Sequence, residues 1–359
     1  MSRRPLAQIN LTALAHNVQR IQEMAPQRKI LAVLKANAYG HGLLAVAAQL
    51  PQASALGVAR IDEALMLRAG GIVKPIVLLE GFFAADELPQ IVASNLQVVV
   101  HDRRQVHELI AAQLDAPVSV WLKINSGMHR LGIQPSEFQS LYQQLLESPN
   151  VIKPMKLMTH FACADEPDHP ATQRQMDLFF QTIAGTDAEI SIANSAGIVQ
   201  WPASHGDWIR PGLTLYGVSP MTNGRSVQHG LRPVMTFSSS VIAVRQVQQG
   251  DAVGYGGSWV APRDTRLAVV AIGYGDGYPR NAGNGTPMLI GHKRYPIAGR
   301  VSMDMTMIDI GDDDIQVGDK VVLWGEHLPV EEIAQRVQTI PYELLCNITS
   351  RVQFRYVTD

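Results

Sequence analysis

A lysine closes an apolar run near the start of the chain, ILAVLKANAYGHG at 30–42. Lysine is seldom buried without a partner, so Lys35 either reaches solvent or has chemistry to do. Beside apolar walls an ammonium gives up its proton cheaply, and the free amine attacks a carbonyl to form an imine. A surface lysine lying along apolar neighbours is the plain alternative. Two later stretches offer the parts of an anion site. IANSAG (192–197) brings the Ser195 hydroxyl, and RPGLTLYG (210–217) brings the backbone N–H groups of Gly212 and Leu213 at a helix start. Taken singly, Asn-Ser and Pro-Gly are also ordinary turn pairs.

Such groups need elements to hold them. β-rich runs lie at 30–36, 54–60, 76–80, 96–101, 118–124, 156–161, 189–195 and 208–210, with helical patterns between them. In NLTALAHNVQRI, Leu11, Leu14, Val18 and Ile21 share one helix face and Asn10 stands as N-cap. Eight strands alternating with helices predict a (β/α)8 TIM-like barrel, with a doubly wound open sheet as the alternative. The runs end in Lys35, Arg60, Glu80, His101, Lys123, His160, Asn194 with Ser195, and Arg210, and barrel active sites sit at the C-terminal ends of strands. Past residue 230 the rhythm changes to strands joined by Gly- and Asp-rich turns. The expected fold is therefore α/β plus β: a barrel over 10–229, then a mainly β domain over 230–359 that residues 1–9 join.

A lysine at a barrel strand end suggests pyridoxal 5'-phosphate. Barrels cradle phosphate in the loops after strands seven and eight, where Ser195, Gly212 and Leu213 fall. The rest of the composition excludes more than it selects. The 359 residues are 46% hydrophobic and 17% charged with a formal net charge of −2, which makes no electrostatic case for nucleic acid or anionic membrane. Neither a signal peptide nor an eighteen-residue apolar span is visible, and Cys163 and Cys346 lie far apart. A cytoplasmic protein without a disulfide framework or metal is expected. GYGDGY (273–278) reads as a tight turn and not as a dinucleotide fingerprint. His101, His107 and His129 read as surface or supporting residues, and Asp309 as a turn cap.

VLKANAYGHG closely resembles the cofactor motif of alanine racemases. So do, in order, NSGMHRLG (125–132), THFACADE (159–166), WIRPGLTLYG (208–217), VGYGGSW (253–259), AIGYGDGYPR (271–280) and GRVSMDM (299–305). The resemblance covers essentially the whole chain. It implies interconversion of L- and D-alanine, for the cell wall or for D-alanine breakdown, in a homodimer with shared active sites. It implies that Lys35 holds pyridoxal phosphate as an imine and that Tyr39, Ser195, Gly212 and Leu213 contact the phosphate, with Asn194 beside them. His160 is implied against the pyridine face and Arg210 at the ring nitrogen. Arg130 and the Met303 backbone are implied to bind the substrate carboxylate, with Asp304 adjoining. Lys123 matches a lysine often carbamylated in the family, and Tyr255 matches a second base supplied by the other subunit. One position departs: where many relatives have a phosphate-binding tyrosine, ITSRV places Ser350, which donates one hydrogen bond but fills less volume.

Racemisation takes a proton from one face of the α-carbon and returns one to the other, so two opposed bases are the simplest device. Lys35 is expected to serve the D-enantiomer and Tyr255 the L-enantiomer. A phenol titrates near pH ~10, so Tyr255 needs cationic company to act as a base. Arginine is always a donor, so Arg210 keeps the ring nitrogen unprotonated, which disfavours transamination. Three rival readings stand beside this one: a barrel decarboxylase of basic amino acids, which needs a pocket for a long side chain; a pyridoxal phosphate carrier without turnover, whose known examples resemble the barrel alone; and a sugar-processing barrel, which needs paired carboxylates.

Overall fold

The computed structural model describes residues 4–358; residues 1–3 and 359, the outermost positions of the spans assigned to the β domain, lie outside the described residues. The chain forms two compact units. One runs from Asn17 to Leu215 with Pro220–Thr222. The other joins the described residues up to His16 with Tyr216–Ser219 and the chain from Asn223 onward.

Strand β1 (Leu6–Asn10) stays out of the barrel. The barrel closes through β2 (Lys29–Val33), β3 (Ala55–Val58), β4 (Ile76–Leu78), β5 (Leu96–Val100), β6 (Val118–Lys123), β7 (Val151–Met158), β8 (Ile190–Ser191) and β9 (Trp208–Ile209). Each strand is parallel to its neighbour, and Lys29 opposite Trp208 closes the ring. The strands are shorter than the apolar runs, because the backbone leaves the ladder before the polar ends. Lys35, Arg60, Glu80, His101, His160 and Arg210 thus lie just beyond their strands, in the loops of the C-terminal mouth. Leu31, Ala55, Val77, Val99, Trp121, Met158 and Trp208 fill the interior. Trp121 and Trp208 meet edge to face at 5.1 Å, and their indole N–H groups donate to Gln97 (2.8 Å) and Glu189 (2.6 Å). Trp208 opens β9, so this pair plugs the N-terminal half and leaves the polar groups to the other end. The expected cap is present: Asn10 Oδ1 accepts the Ala13 N–H at 2.8 Å, and Leu14, Val18 and Ile21 are buried.

The other unit is built on β10 (Met235–Val247), which pairs antiparallel with β1; β18 (Gln353–Val357) runs parallel to β1 on its other side. The hairpin β11 (Ala252–Val253) and β12 (Trp259–Val260) carries the glycine-rich loop with Tyr255. Then come β13 (Thr265–Val270), β14 (Pro287–Ile290), β15 (Lys293–Pro296), β16 (Thr306–Asp309) and β17 (Lys320–Trp324). The register of β10 shifts at Phe237/Ser238 against β17 and at Val241/Ala243 against β13. These irregularities bend one long strand so that it serves several partners. In the core Trp324 stacks with Tyr278 and meets Phe237 at a tilt. Among the described residues no helix is long and apolar enough to cross a membrane.

Candidate active site

Lys35 lies two residues beyond the end of β2 and opens an unusual turn. Ala36, Asn37, Ala38 and Tyr39 all lie in the left-handed region, with φ between 51 and 54°. For L-residues this costs about 1–2 kcal/mol each, so the turn persists only because its surroundings determine it. Ala38 N–H donates to Leu34 O at 2.7 Å, Gly42 N–H to Asn37 O at 3.0 Å and Leu43 N–H to Asn37 Oδ1 at 2.8 Å. Glu63 accepts the Ala36 N–H at 2.7 Å. His41 is fully buried, and its Nδ1 lies 2.8 Å from Tyr39 O and 3.1 Å from Ala38 O. Carbonyls only accept, so Nδ1 carries the proton. Burial pushes the His41 pKa down to about 4 against those two bonds, and the ring is neutral at physiological pH.

Beside this turn lie the parts of a phosphate cradle. Ser195 Oγ accepts the Gly212 N–H at 2.9 Å and the Thr214 N–H at 3.4 Å, and sits 3.2 Å from Thr214 Oγ1. A Cβ on Gly212 would stand 2.7 Å from the Tyr39 hydroxyl, so residue 212 must be glycine for Tyr39 to reach this point. Leu213 opens the short turn Leu213–Tyr216. Asn194 caps the helix Ser195–Gln200, accepting the Gly197 N–H at 2.9 Å. Four of the sequence-predicted residues, Tyr39, Ser195, Gly212 and Leu213, thus meet at the mouth near Lys35, with Asn194 supporting them from the side.

The second cluster is cationic. Arg210 is 4% exposed. Its Nη1 donates to Ser191 Oγ at 2.7 Å, and its Nη2 to Thr159 O (2.6 Å), Ile192 O (3.1 Å) and His160 Nδ1 (3.2 Å). Since a guanidinium cannot accept, Nδ1 is the acceptor and neutral His160 carries its proton on Nε2. Burial, then the charges of Arg210, Lys123, Arg130 and Lys35, hold the His160 pKa well below the usual histidine range. Nε–H and the second Nη1 proton of Arg210 have no protein acceptor among the described residues, and burial pulls its pKa down to about 10. Lys123 ends β6 at 7% exposure. Its pKa falls to about 7 through burial and the nearby charges of Arg210, Arg130 and Lys35, with Glu80 opposing. Arg130 is exposed, on a loop fixed by Asn125, whose Oδ1 accepts the Gly127 and His129 N–H groups at 3.3 and 3.0 Å.

The remaining predicted residues belong to the β unit. Tyr255 is 69% exposed and Met303 52%. Tyr255 sits between Gly254 and Gly256, both at positive φ, and a Cβ on Gly256 would lie 3.4 Å from Arg300. Met303 O accepts the Gly275 N–H at 2.9 Å. Asp304 pairs with Arg351 at 2.6 Å, and Arg351 also reaches Asp276 at 3.3 Å. Ser350 is exposed, just before Arg351. Asp309 accepts the Thr265 hydroxyl at 2.6 Å and the Gly311 N–H at 3.1 Å.

Sequence reasoning missed Glu63 and Asn37. Glu63 reads as an ordinary first-turn acid of the helix Ile61–Ala69, and nothing in KANAYG announces four left-handed residues except the flanking glycines.

Residues 9–220 match the family model "Alanine racemase, N-terminal domain" and residues 234–356 match "Alanine racemase, C-terminal domain". The alanine racemase of Vibrio cholerae is 53% identical over 351 residues, covering 98% of this chain and 97% of that one. The biosynthetic alanine racemase of Pseudomonas aeruginosa superposes with a TM-score of 0.96 at 42% identity, over 99% of this chain and 100% of that one. The Bartonella henselae alanine racemase, solved with covalently bound pyridoxal phosphate, superposes with a TM-score of 0.88 at 28% identity, over 99% and 100% of the two chains. The chain belongs to the alanine racemase family and, as a member, is an isomerase acting on a small amino acid.

Proposed function

We propose that the chain interconverts L- and D-alanine with two bases, Lys35 and Tyr255, around pyridoxal phosphate held in the barrel mouth. The observation that carries this reading is the convergence of Tyr39, Ser195 and Gly212 beside the Lys35 turn, with Arg210 held buried in the same barrel. The donor set fits the cofactor: a hydroxyl and backbone N–H cradle for its phosphate, an amine for its aldehyde, and spare Arg210 protons for a ring nitrogen that accepts. When bound, the cofactor supplies an electron sink that lets an α-proton leave. Tyr39, Ser195, Gly212 and Leu213 hold the phosphate end, with Ser350 as a further donor. His160, neutral and oriented by Arg210, packs against the ring. Arg130 and the Met303 backbone N–H bind the substrate carboxylate, and the Asp304–Arg351 pair steadies Met303. Lys35 takes or returns the proton on one face, Tyr255 on the other.

Lys123 is read as a carbamate. With its pKa near 7, its neutral amine attacks carbon dioxide, an N–C bond forms and a proton leaves. The resulting anion is then well placed among cations to orient Arg130. The active unit is read as a cytoplasmic homodimer in which each β unit completes the partner's barrel mouth. The exposure of Tyr255, Val260, Met303 and Met305 in the β unit supports this, since covering large apolar side chains removes their surface from water. The biosynthetic P. aeruginosa relative favours supply of D-alanine over its breakdown.

The test is chiral product analysis of L-alanine incubated with the purified chain and pyridoxal phosphate. Equal amounts of the two enantiomers are expected at equilibrium. No D-alanine, or loss of the amino or carboxyl group instead, would overturn the reading.

A further inference from the structure

Glu63 does more than a first-turn acid needs to. It is the third residue of the helix Ile61–Ala69, and its Oε2 accepts the Ala59 N–H at 2.8 Å. This bond resembles the reach-back of a capping box but goes one residue further, past the N-cap Arg60. Its Oε1 leaves the helix and accepts the Ala36 N–H at 2.7 Å. This N–H belongs to the peptide group between Lys35 and Ala36. The peptide group on the other side of Lys35 is held through Leu34 O, which accepts the Ala38 N–H at 2.7 Å. Fixing both planes fixes φ and ψ of Lys35, and so the direction in which its side chain leaves the backbone. Glu63 holds one of these two planes from outside the turn.

We propose that Glu63 is a positioning residue for Lys35: its carboxylate locks the Lys35–Ala36 peptide at the entry to the left-handed turn and sets the direction of the amine. The inference rests on Lys35 being the cofactor lysine. Ala36 is the first residue with left-handed φ, where a side chain is disfavoured and glycine is not. Without the second carboxylate oxygen, the turn is free to relax into the commoner right-handed region and carry Lys35 away. Glu63→Gln keeps one acceptor but turns an NH₂ group toward the other N–H. Ala36→Gly lowers the cost of the left-handed conformation and supports the turn without that bond.

Four proteins are compared: wild type, Glu63→Gln, Ala36→Gly and the double variant. The readouts are the dissociation constant of pyridoxal phosphate from the apo-protein, by absorbance titration, and Tm. Losing a charge-assisted bond at this point is expected to weaken cofactor binding roughly tenfold in Glu63→Gln, with part of the loss recovered in the double variant. A purely capping role predicts a lower Tm, cofactor affinity within about twofold of wild type and no recovery; that result overturns the proposal. Should Glu63→Gln not fold, amide exchange in ¹⁵N-alanine-labelled wild-type apo-protein decides. Exchange at Ala36 far below its intrinsic rate at neutral pH supports the lock, and exchange near the intrinsic rate overturns it. Borohydride reduction of wild type separates the two readings, because a pyridoxyl label away from Lys35 defeats the cofactor-lysine reading and leaves the Ala36 exchange result standing on its own.

Discussion

In the barrel mouth Arg210 is 4% exposed and donates to four acceptors, whereas in the β unit Tyr255 is 69% exposed and Met303 52%. The mouth also concentrates the perturbed groups: His160 and His41 held neutral, and Lys123 pulled down to about 7. One region is therefore built in advance by its own strands, and electrostatic groups fixed in a dry site lose nothing to reorganisation. The other presents its candidate groups to solvent, where they are poorly placed for proton transfer. The difference argues that the β unit contributes only when a second surface covers it, and that changes in the two regions will fail in different ways.

Complementation tests this most severely. On the proposed two-base mechanism, Lys35→Ala and Tyr255→Phe are each expected to lose at least about 10³-fold in turnover. Tyr255→Phe should still bind pyridoxal phosphate, since the phenol belongs to the exposed region and not to the cradle. Mixed and exchanged, the two inactive chains are expected, on the proposed sharing of sites, to form hybrid dimers in which one site carries both lesions and the other carries neither. Activity approaching half of wild type per hybrid is expected. Subunit exchange demonstrated by an independent label without recovered activity would mean that each chain completes its own site.

This split also explains what was legible in the sequence. Strand existence and the barrel were readable because eight apolar runs alternate with amphipathic helices, and polar residues such as Lys35 and Arg210 mark where each run ends. Ser195 and Gly212 were legible as chemistry, Tyr39 only through the family resemblance, and the place of the first two at one mouth follows from strand order. The left-handed turn was not legible: Ala36, Asn37, Ala38 and Tyr39 have no local preference for φ near 54°, and the conformation is imposed by Glu63, His41 and the Leu34 carbonyl. Residues 1–9 were assigned to the β domain, but the strand β1 itself was not legible: it is set by its pairing with β10 and β18. Both are consequences of contacts distant in sequence, which periodicity does not record.

A smaller effect is expected inside the barrel mouth from Arg210→Lys. Lysine keeps the charge but cannot serve the fork of Ser191 Oγ, Thr159 O, Ile192 O and His160 Nδ1 together. Losing one or two bonds to a charged group in a buried site lowers turnover by roughly 10- to 100-fold. The signature that separates this from general damage is at His160. With its donor gone, the Nδ1 resonance in ¹⁵N NMR should shift, and the two nitrogens should approach tautomeric averaging. Turnover within about twofold of wild type with an unchanged His160 spectrum would show that the Arg210 fork does not set the tautomer.

The smallest effect is one of stability alone. His41 is 0% exposed, with its ordinary value of 6.5 pushed down to about 4 by burial. As pH falls below 6.5 the unfolded chain takes up the His41 proton while the folded chain does not, so stability present above that value is lost on the way down toward about 4. By about pH 5.5 the linkage amounts to about 1 kcal/mol, or about 2 °C in Tm for a chain of this size. Other histidines with lowered values, His160 among them, add to the slope with the same sign, so the comparison must isolate residue 41. His41→Asn keeps a side-chain donor toward the Ala38 and Tyr39 carbonyls but has no proton to gain. Its Tm at neutral pH is expected to lie below that of wild type, because a buried ring is replaced by a smaller group. Its decline between about pH 7 and about pH 5.5 should be shallower by the His41 share. Parallel curves for the two proteins would mean that the folded chain takes up the His41 proton as readily as the unfolded one, and that the left-handed turn tolerates a charge beside it.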